Sequence, residues 1–409
     1  MPTATIIKGK PLNEYPYKDF FLRYFKKIKY DIIILGSGVT GLSTGYHLSR
    51  LGNYSIAVVN NPDFVPVSQQ SAHLISGGYF DNFTRFHHTY KNKLACQIWQ
   101  FSDDAFRFCS RFVQGSDILR TLGERLRFVK SEHEFHEVKK AVSLLNQNNF
   151  FSTLDTQNDR NEISLGRSVL SLQSHGQQGG VIKPRKLLEK LKESFRHKSY
   201  SASSLKVFDR GENIELSFLD GTCLSCTILV LANHLGAAKI LPELDEALVP
   251  VTDQWLNLVY TTSCSSHLPP VGTVFTSHHG YVWGAFTEKN AIQVGGARFL
   301  RPFAGIGAKQ SSLSSKVTKY LVQEVKSLFP AISKVEVKSE THGLTIRPMD
   351  DLPVVGPMFG EPRILVATGF LGQGLTLGLY SGYCLSQLIH FGHCDSLPRK
   401  FWPERLRSL

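Results

Sequence analysis

A glycine-rich segment near the N-terminus constrains the fold of this chain more than any other stretch. Residues 30–35 read Tyr-Asp-Ile-Ile-Ile-Leu, a short run that is typical of a strand buried on both faces. Gly-Ser-Gly-Val-Thr-Gly follows at residues 36–41, and apolar residues then recur at helical spacing until Gly52. A second apolar run, residues 56–60, completes a unit of strand, helix and strand. Its first turn carries G-x-G-x-x-G.

The three glycines of this motif have separate physical tasks. Gly36 permits a tight turn, Gly38 lets the backbone approach a pyrophosphate, and Gly41 lets helix and strand pack closely. The helix N-terminus supplies unpaired N–H groups and the positive end of the helix dipole. Because the motif lies between a strand and a helix, it predicts a dinucleotide site and not a plain α/β turn. The residues assigned to this turn are Gly36, Ser37, Gly38, Val39, Thr40 and Gly41.

The residue at the end of the second strand departs from the usual pattern. An Asp or Glu there accepts hydrogen bonds from the ribose hydroxyls of the dinucleotide. This chain has Asn60, followed by Asn61 and Asp63. An amide oxygen can also accept from a hydroxyl, but without charge assistance the bond is roughly half as strong. We therefore expect Asn60 to contact the adenosine end of the dinucleotide more weakly than a carboxylate would.

Length and composition indicate a globular protein. The 409 residues predict two domains or one large one, and 42% hydrophobic with 20% charged residues fit a soluble chain. No apolar run approaches the ~20 residues of a membrane span, and the N-terminus lacks a signal-peptide core. Seven scattered cysteines indicate a reducing compartment, so we expect a cytoplasmic protein. Cys223 and Cys226 should point to opposite faces of a strand, and no metal site is expected.

Positive charge is concentrated at the two ends of the chain. Of the formal net charge of +12, residues 1–29 contribute a surplus of five and residues 399–409 a surplus of three. A basic tail can bind RNA or an anionic membrane, whereas a solvated surface is the simpler explanation. Residues 17–28 mix aromatic and basic side chains, which fits an interfacial helix or, more commonly, aromatic packing against the following domain. tRNA and peripheral contact with the inner membrane are therefore alternatives to test.

The middle of the chain alternates helical and strand-like patterns. Helices are predicted over residues 94–113, 133–146, 185–195 and 315–328. Strands are predicted over residues 204–208, 214–218, 222–232, 255–262, 280–286 and 291–296. Asp220-Gly221 predicts a hairpin between the second and third of these strands.

A second glycine turn lies close to the C-terminus. Residues 364–368 read as a strand, residues 369–374 as a glycine-rich turn, and the following residues to Ile389 as a helix. Residues 343–356, upstream of this unit, read Gly-Leu-Thr-Ile-Arg-Pro-Met-Asp-Asp-Leu-Pro-Val-Val-Gly. A second turn of backbone donors this far along the chain indicates a cofactor longer than one mononucleotide.

These motifs resemble the FAD-dependent amine oxidoreductases of the D-amino-acid oxidase superfamily, which include glycine and sarcosine oxidases. The similarity covers about residues 30–409. It rests on the first glycine turn, on Gly-Gly-Val-Ile-Lys-Pro at residues 179–184 entering a helix, and on the strand at residues 228–232. It rests most on Gly-Leu-x-x-Arg-Pro-x-x-Asp-x-Pro-x-x-Gly followed by Ala-Thr-Gly and Gly-x-Gly-Leu.

The resemblance implies an α/β fold with two parts. One is a Rossmann-like FAD-binding domain, and the other is a discontinuous antiparallel-sheet (α+β) substrate domain. The implied division is a basic extension at 1–29, an FAD-binding domain at 30–85, 179–245 and 340–409, and a substrate domain at 86–178 and 246–339.

The resemblance also implies positions for cofactor and substrate. Residues 71–78 would run beside the flavin, and residues 369–376 would lie near its pyrimidine ring. Arg347 falls where several members place the arginine that pairs with the substrate carboxylate, a geometry that suits a guanidinium. An ion pair with Asp350 or Asp351 is the alternative. The implied cofactor residues beyond the first turn are Asn60, Ser71, His73, Leu205, Gly369, Gly372, Gln373, Gly374, Leu375 and Thr376.

Other candidates and departures bear on specificity. Tyr281 is a candidate lining residue of the substrate site, although a tyrosine packed in the sheet is the simpler interpretation. Arg298 and Arg301 offer further anion contacts or are solvated. Departures from the family are Asn233-His234 in place of a glycine-containing turn, Gly372 in place of a second carboxylate-binding arginine, and His73 in place of a glycine.

The leading functional hypothesis is oxidation of a carboxylate-bearing amine, an amino acid or N-substituted glycine. Arg347 would fix the carboxylate while hydride passes to flavin N5 and an imine forms. Residues 231–234, 249–254 and 399–406 also resemble the oxidase domain of the bifunctional enzymes that mature 5-carboxymethylaminomethyl-uridine in tRNA. A tRNA wobble-uridine oxidase, a D-amino acid dehydrogenase and an NAD-dependent dehydrogenase are therefore alternative enzymes. A flavoprotein-like fold that has lost tight FAD and acts as a binding module is the non-catalytic alternative.

Overall fold

A computed structural model describes residues 6–8, 28–62, 67–156, 166–262, 264–303 and 305–408. Most of the basic N-terminal extension lies outside the described residues, including nearly all of residues 17–28, for which aromatic packing or an interfacial helix was expected. The helices in the described ranges are α1 (Val39–Leu51), α2 (Val67–Gln70), α3 (Phe83–Val113), α4 (Glu132–Gln147), α5 (Pro184–Glu193), α6 (Gly236–Ile240), α7 (Ser315–Leu328) and α8 (Gly374–Phe391).

The same ranges contain twenty strands. They are β1 (Ile6–Lys8), β2 (Ile28–Leu35), β3 (Ile56–Asn60), β4 (Leu74–Ser76), β5 (Leu119–Gly123), β6 (Arg125–Val129), β7 (Thr153–Thr156), β8 (Ser171–Ser174), β9 (Gly179–Ile182), β10 (Lys198–Ser201), β11 (Leu205–Asp209), β12 (Ile214–Phe218), β13 (Cys223–Leu231), β14 (Leu248–Thr262), β15 (Val274–Ser277), β16 (Val282–Glu288), β17 (Ala291–Gly296), β18 (Ile332–Pro348), β19 (Val354–Met358) and β20 (Glu361–Thr368).

The chain divides into two compact units, each built from separate segments. The first unit comprises Met1–Gln70, Leu187–Pro250 and Ile346–Leu409, and the second comprises Ser71–Lys186 and Val251–Thr345. Residues 340–345 belong to the second unit and residues 246–250 to the first, the reverse of the division that the resemblance implies. Residues 71–85 and 179–186, which the resemblance assigns to the FAD-binding domain, also belong to the second unit. The reason is strand pairing: β9 is antiparallel to both β4 and β5 in a three-stranded sheet. Such long-range pairing leaves no local sequence signal.

A nine-stranded sheet forms the centre of the first unit. Its parallel part has the order β10-β3-β2-β13-β20. β12 and β11 continue from β13 as an antiparallel meander, and β1 adds a parallel edge to β11. Because β2 lies between β3 and β13, the strand order reverses at its carboxyl end. That position is where open α/β sheets bind ligands.

Helices α1 and α8 approach closely because small residues face each other. A Cβ atom on Gly378 would lie 2.6 Å from Thr40 Oγ1, and one on Gly382 would lie 2.6 Å from the Thr40 carbonyl oxygen. Ser43 Oγ donates a hydrogen bond to the carbonyl oxygen of Leu379 at 2.7 Å. This contact joins the two predicted strand-turn-helix units across 336 positions of sequence.

The second unit contains an eight-stranded sheet with the order β18-β14-β17-β16-β15-β6-β8-β7. Its pairs are mostly antiparallel, and β15 and β6 are parallel. Apolar residues of α7, including Leu321 and Val325, pack on this sheet with Phe275 and Phe329 in one buried cluster. The α/β fold class with an antiparallel second part is therefore confirmed.

Most predicted elements are present, with shifted boundaries. The hairpin at Asp220-Gly221 is confirmed, since β12 and β13 are antiparallel and Gly221 has φ of 86°. The helix predicted from residue 94 starts eleven residues earlier, at Phe83. Lys91 interrupts it with φ of 62°, which explains why the helical periodicity becomes clear only beyond that point.

The second unit also buries charge. Arg125 and Arg127 are fully buried on one face of β6, and their Nη2 atoms donate to the carbonyl oxygens of Tyr79 and Phe80. Asp103 lies in the same region and accepts a hydrogen bond from the Gly78 N–H at 3.2 Å. Burial raises the pKa of Asp103 to about 6, although the Arg125 charge opposes this shift.

This pKa predicts a pH-dependent stability. Because the folded-state pKa of Asp103 lies above its ordinary value of 3.8, proton binding stabilises the folded state below pH 4 and this stabilisation disappears as the pH rises through 6. Its size is about 3 kcal/mol in the free energy of unfolding. Asp103→Asn should remove this pH-dependent stabilisation. The difference in the free energy of unfolding between wild type and variant, measured in urea, should therefore change across pH 4–7.5. Asp104→Asn, one residue along α3, is the control. Parallel stability profiles would contradict the assignment.

The contact between α1 and α8 predicts a second difference in stability. Gly382→Ala introduces a methyl group where no space exists, so the apoprotein should lose about 1–3 kcal/mol in the free energy of unfolding. Gly374→Ala is the matched control on the same helix, since its Cβ atom would meet nothing within 4 Å. The control should be neutral or more stable, because alanine favours helix over glycine. Equal unfolding free energies for the two apoprotein variants, measured in urea, would refute the tight contact.

Candidate cofactor and substrate site

The first glycine turn lies at the carboxyl end of β2. Gly36 has φ of 115°, and a Cβ atom there would lie 2.3 Å from the Ala232 carbonyl oxygen. A Cβ atom on Gly41 would lie 2.0 Å from the Gly36 carbonyl oxygen. Only glycine fits at either position. Gly36 also donates its N–H to the Val59 carbonyl oxygen at 2.8 Å, which ties the turn to the end of β3.

The N-terminus of α1 is suited to a negatively charged group. Its first turn contains no acidic residue, and its N-cap, Gly38, contributes no side chain. The Val39 N–H donates to Ser68 Oγ at 3.2 Å. Ser68 lies on α2 and was not among the predicted site residues, because a serine in a polar loop carries no distinctive signal. A phosphate oxygen at this turn would take the place of the Ser68 hydroxyl as an acceptor.

The second glycine turn, between β20 and α8, is tightly wound. Gly369, Leu371 and Gly372 have φ of 75°, 55° and 85°. The left-handed conformation destabilises Leu371 by roughly 1 kcal/mol. A Cβ atom on Gly369 would lie 2.5 Å from Pro348 Cγ, whereas a Cβ atom on Gly372 or Gly374 would meet nothing within 4 Å. The turn is therefore closed towards Pro348 and open at Gly372 and Gly374.

The rest of this segment belongs to α8 and its cap. Gln373 is buried, and its carbonyl oxygen accepts from the N–H groups of Thr376 and Leu377. Leu375 and Thr376 are buried, and the first turn of α8 has no acidic residue. The N-terminus of α1 thus fits the pyrophosphate of a dinucleotide. α8, which touches α1, has a second N-terminus without acidic residues, at the turn predicted to lie near the pyrimidine ring of the flavin. The residues present thus fit the FAD that the resemblance implies.

The end of β3 provides the surroundings of Asn60. Asn60 Oδ1 accepts from Ser201 Oγ at 3.1 Å, and its carbonyl oxygen accepts from the Ala202 N–H at 2.9 Å. Asn61 Nδ2 donates to the Ser203 carbonyl oxygen at 3.4 Å. Leu205 begins β11 directly after this connection. The expected adenosine contact of Asn60 would use the remaining lone pair of its amide oxygen.

His234 stands where the resemblance implies a glycine-containing turn. It has φ of 57°, a conformation that glycine adopts without strain. The residue is partly buried, and this burial lowers its pKa to about 4, so the imidazole is neutral at pH 7. Thr368 Oγ1 donates to the His234 carbonyl oxygen at 3.4 Å, joining the carboxyl end of β20 to this turn.

Arg347 lies near the end of β18 and is ion-paired. Its Nε and Nη2 atoms donate to Asp351 Oδ1 at 2.9 and 2.8 Å. The alternative considered from the sequence, an ion pair with Asp351, is therefore present. The Arg347 side chain remains 35% exposed. Asp350 does not compete for it, because Arg405 binds Asp350 with Nε at 2.6 Å and Nη2 at 3.0 Å.

Ser71 and His73 belong to the second unit. The His73 N–H donates to Gln293 Oε1 at 2.7 Å, and its carbonyl oxygen accepts from the Ile182 N–H at 2.7 Å. Burial, with help from the Arg120 charge, lowers the pKa of the His73 imidazole. The contacts of Ser71 and His73 with FAD stay predictions.

Tyr281 is not packed within the sheet, which corrects the simpler interpretation of its sequence position. It follows a short 3₁₀ turn, His278–Gly280, directly before β16, and it is 49% exposed. It lines a cavity of about 220 Å³ in the second unit. Arg298 and Arg301 line the same cavity.

The fold and the first glycine turn define a dinucleotide-binding α/β protein with a second, mainly antiparallel unit. The model of the family described as FAD dependent oxidoreductase (DAO) matches residues 31–388. The chain belongs to this family. The predictions of an FAD cofactor and of an oxidoreductase are thereby confirmed.

Solved structures show the same fold at low sequence identity. Glycine oxidase from Geobacillus kaustophilus has a TM-score of 0.73 at 16% identity and covers 92% of this chain and 98% of its own. L-proline dehydrogenase from P. horikoshii has a TM-score of 0.71 at 16% identity and covers 94% of this chain and 99% of its own. Iminodiacetate oxidase from Chelativorans sp. BNC1 has a TM-score of 0.67 at 15% identity and covers 91% of this chain and 98% of its own. No curated protein sequence matches the chain.

No helix in the described ranges is both long and apolar enough to cross a membrane. Within that same part of the chain, no group of three or more His, Cys, Asp or Glu side chains is arranged to hold a metal ion.

The surroundings of Asn60 predict the effect of restoring a carboxylate. Asn60→Asp should bind FAD about fivefold more tightly, because a charged acceptor strengthens the hydrogen bond to a ribose hydroxyl. The dissociation constant can be measured by titrating apoprotein with FAD and following flavin fluorescence. Asn61→Asp adds the same charge one residue beyond β3 and should have little effect. An equal gain in both variants would show that charge, and not the strand end, is responsible.

Proposed function

We propose that the protein oxidises a small amine that carries a carboxylate, such as an amino acid or an N-substituted glycine. The observation that carries this proposal is the position of Arg347. It directly precedes Pro348, which packs against Gly369 of the second glycine turn. The partly exposed Arg347 is thus the chain neighbour of a residue that contacts one of the two turns assigned to FAD.

The ion pair with Asp351 is compatible with this role. An arginine side chain has five N–H donors, and Asp351 accepts from two nitrogens through a single oxygen. The remaining donors can bind a substrate carboxylate while Asp351 fixes the orientation of the guanidinium. Such preorientation reduces the entropy cost of placing the substrate for reaction.

The chemistry of known proteins with this fold supports the same class of substrate. The three solved structures are named for glycine, L-proline and iminodiacetate. Each of these compounds carries an amine and a carboxylate. FAD, when bound, supplies the acceptor for the hydride that leaves the carbon next to the amine. Arg347 binds and orients the carboxylate, and no side chain is assigned as acid or base if the amine enters in its neutral form.

The two alternative enzymes, a tRNA wobble-uridine oxidase and a D-amino acid dehydrogenase, would also oxidise a carbon–nitrogen bond. The first depends on the resemblance of residues 231–234, 249–254 and 399–406, and on basic termini that lie mostly outside the described ranges at the N-terminal end. A modified tRNA and D-alanine therefore belong in the substrate panel. Protein that stays colourless after incubation with FAD would support the non-catalytic binding module instead.

The proposal predicts a flavoprotein whose absorbance is bleached by its substrate. Anaerobic mixing with glycine, sarcosine, L-proline, D-alanine, iminodiacetate or modified tRNA should bleach the flavin band with at least one of them. Arg347→Gln should lower the second-order rate constant for that substrate about 100-fold, because a charge-assisted carboxylate pair is lost.

Arg363→Gln is the matched control, since Arg363 is also ion-paired in the first unit, to Asp209 and Glu361. It should leave the rate constant of bleaching unchanged. An Arg347→Gln protein that holds FAD and is bleached at the wild-type rate would refute the role of Arg347.

A further inference from the structure

Two cysteines lie together where α8 ends, and none of the steps proposed above uses them. Cys384 is fully buried within α8, and Cys394 follows the helix and is partly exposed. Both residues and the segment between them belong to the first unit. All seven cysteines of the chain are free thiols in the structure, so these two are available for chemistry.

The end of α8 explains how the two cysteines meet. Gly392 directly follows the helix with φ of 77°, and its N–H donates to the Leu388 carbonyl oxygen at 3.0 Å. A glycine in this left-handed conformation ends a helix and redirects the chain. The Leu397 N–H then donates to the Cys394 carbonyl oxygen at 3.1 Å, which forms a second turn. With the chain turned in this way, the Cys394 thiol lies within hydrogen-bond distance of the Cys384 thiol.

Several donors surround the Cys394 sulfur. Ser396 Oγ lies 3.8 Å from it, and the backbone N–H groups of Ser396 and Leu397 also donate to it. The hydrogen bond with Cys384, together with these donors, lowers the pKa of Cys394 to about 6, although partial burial opposes the shift. Cys394 is therefore largely a thiolate at pH 7, which is the nucleophilic form of cysteine.

Other cysteines of the chain lie in different environments. Burial raises the pKa of Cys109 and of Cys226 to about 12, so these two thiols stay protonated and unreactive. Cys264 is the nearest comparison, because Ser266 Oγ lies 3.0 Å from its sulfur and lowers its pKa. Its neighbour is a serine hydroxyl, whereas the neighbour of Cys394 is a second thiol. Cys264 thus provides the control for the reactivity of a partly exposed thiol.

We propose that Cys394 and Cys384 form a reversible disulfide when the protein meets hydrogen peroxide. The Cys394 thiolate attacks one oxygen of the peroxide, the O–O bond breaks, and the hydroxide that leaves takes up a proton to become water. The product is a sulfenic acid on Cys394. The Cys384 sulfur then attacks the Cys394 sulfur, the S–O bond breaks, and the Cys384 proton leaves with the hydroxyl as a second water. The two thiols lose two electrons, which reduce the peroxide.

Burial gives the two cysteines separate roles. A peroxide from solvent reaches the partly exposed Cys394 first, because Cys384 is fully buried. Since the two thiols already touch, Cys384 should attack the sulfenic acid before a second peroxide oxidises it further. The new bond joins the segment after Gly392 to α8, and a dithiol reductant would release it by thiol–disulfide exchange. A reducing compartment would therefore keep the pair open until peroxide is present.

The test treats the reduced, FAD-loaded protein with hydrogen peroxide, blocks the remaining thiols with N-ethylmaleimide and digests the protein without reductant. Trypsin leaves both cysteines in one peptide, because no Lys or Arg lies between Ile364 and Pro398. Chymotrypsin then cleaves after Phe391, which lies between the two cysteines. Mass spectrometry should find the fragments that carry Cys384 and Cys394 still joined, with two blockable thiols lost. Dithiothreitol should separate these fragments.

Three variants assign the steps. Cys384→Ser removes the second thiol, so Cys394 should stop at the sulfenic acid, which dimedone traps. Cys394→Ser should abolish the disulfide, and Cys384 should stay reduced because it is buried. Cys264→Ser is the matched control and should form the disulfide between Cys384 and Cys394 at the wild-type rate.

Three results would overturn the proposal. The first is a Cys394 that stays reduced while Cys264 is oxidised. The second is a wild-type Cys394 that proceeds to sulfinic acid while Cys384 stays free. The third is a disulfide that forms equally fast in protein unfolded in urea, because the folded contact would then have no role. The reaction needs no amine and no turnover, so its outcome is independent of the function proposed for Arg347.

Discussion

The close contact between α1 and α8 is the constraint on which the first unit depends. Two helices can approach this closely only where neither presents a bulky side chain, and Gly378, Gly382 and Ser43 meet that condition. The contact holds the start of α1 against the first half of α8, although the two helices lie far apart in the sequence. Each N-terminus brings partial positive charge and N–H groups. The site predicted for FAD thus depends on small residues where the two helices meet.

Two neighbouring carboxylates near this site have different partners and different environments. Asp350 is paired with Arg405, whose side chain is 4% exposed, and the pair holds the C-terminal segment against the turn after β18. Asp351 is paired with Arg347, which is 35% exposed. A buried pair is costly to break, because one charge is left without a partner, whereas an exposed pair exchanges partners at little cost. This difference is why the proposal assigns the substrate carboxylate to the exposed pair.

The sequence predicted those features that depend on local pattern. Gly36 and Gly41 could be assigned because the motif, its strand and its helix are contiguous, and the same holds for the turn that follows Thr368. Features that depend on distant pairing could not be predicted. Ser68 reaches the α1 N-terminus only through the fold, and β9 joins β4 and β5 without any periodicity that reveals it. The exposure of Tyr281 was missed for the same reason, since strand residues alternate only within a strand.

The pairing of Arg405 with Asp350 has a consequence for the integrity of the protein. Arg405 Nη2 also donates to the Leu352 carbonyl oxygen at 2.7 Å, so one side chain near the C-terminus supports the loop that follows Arg347. Proteolytic clipping between Phe401 and Arg405 would withdraw this support while both glycine turns stayed intact. A clipped molecule would then retain the turns predicted to hold FAD, but it would lose support for the loop beside Arg347, the residue proposed to bind the substrate carboxylate.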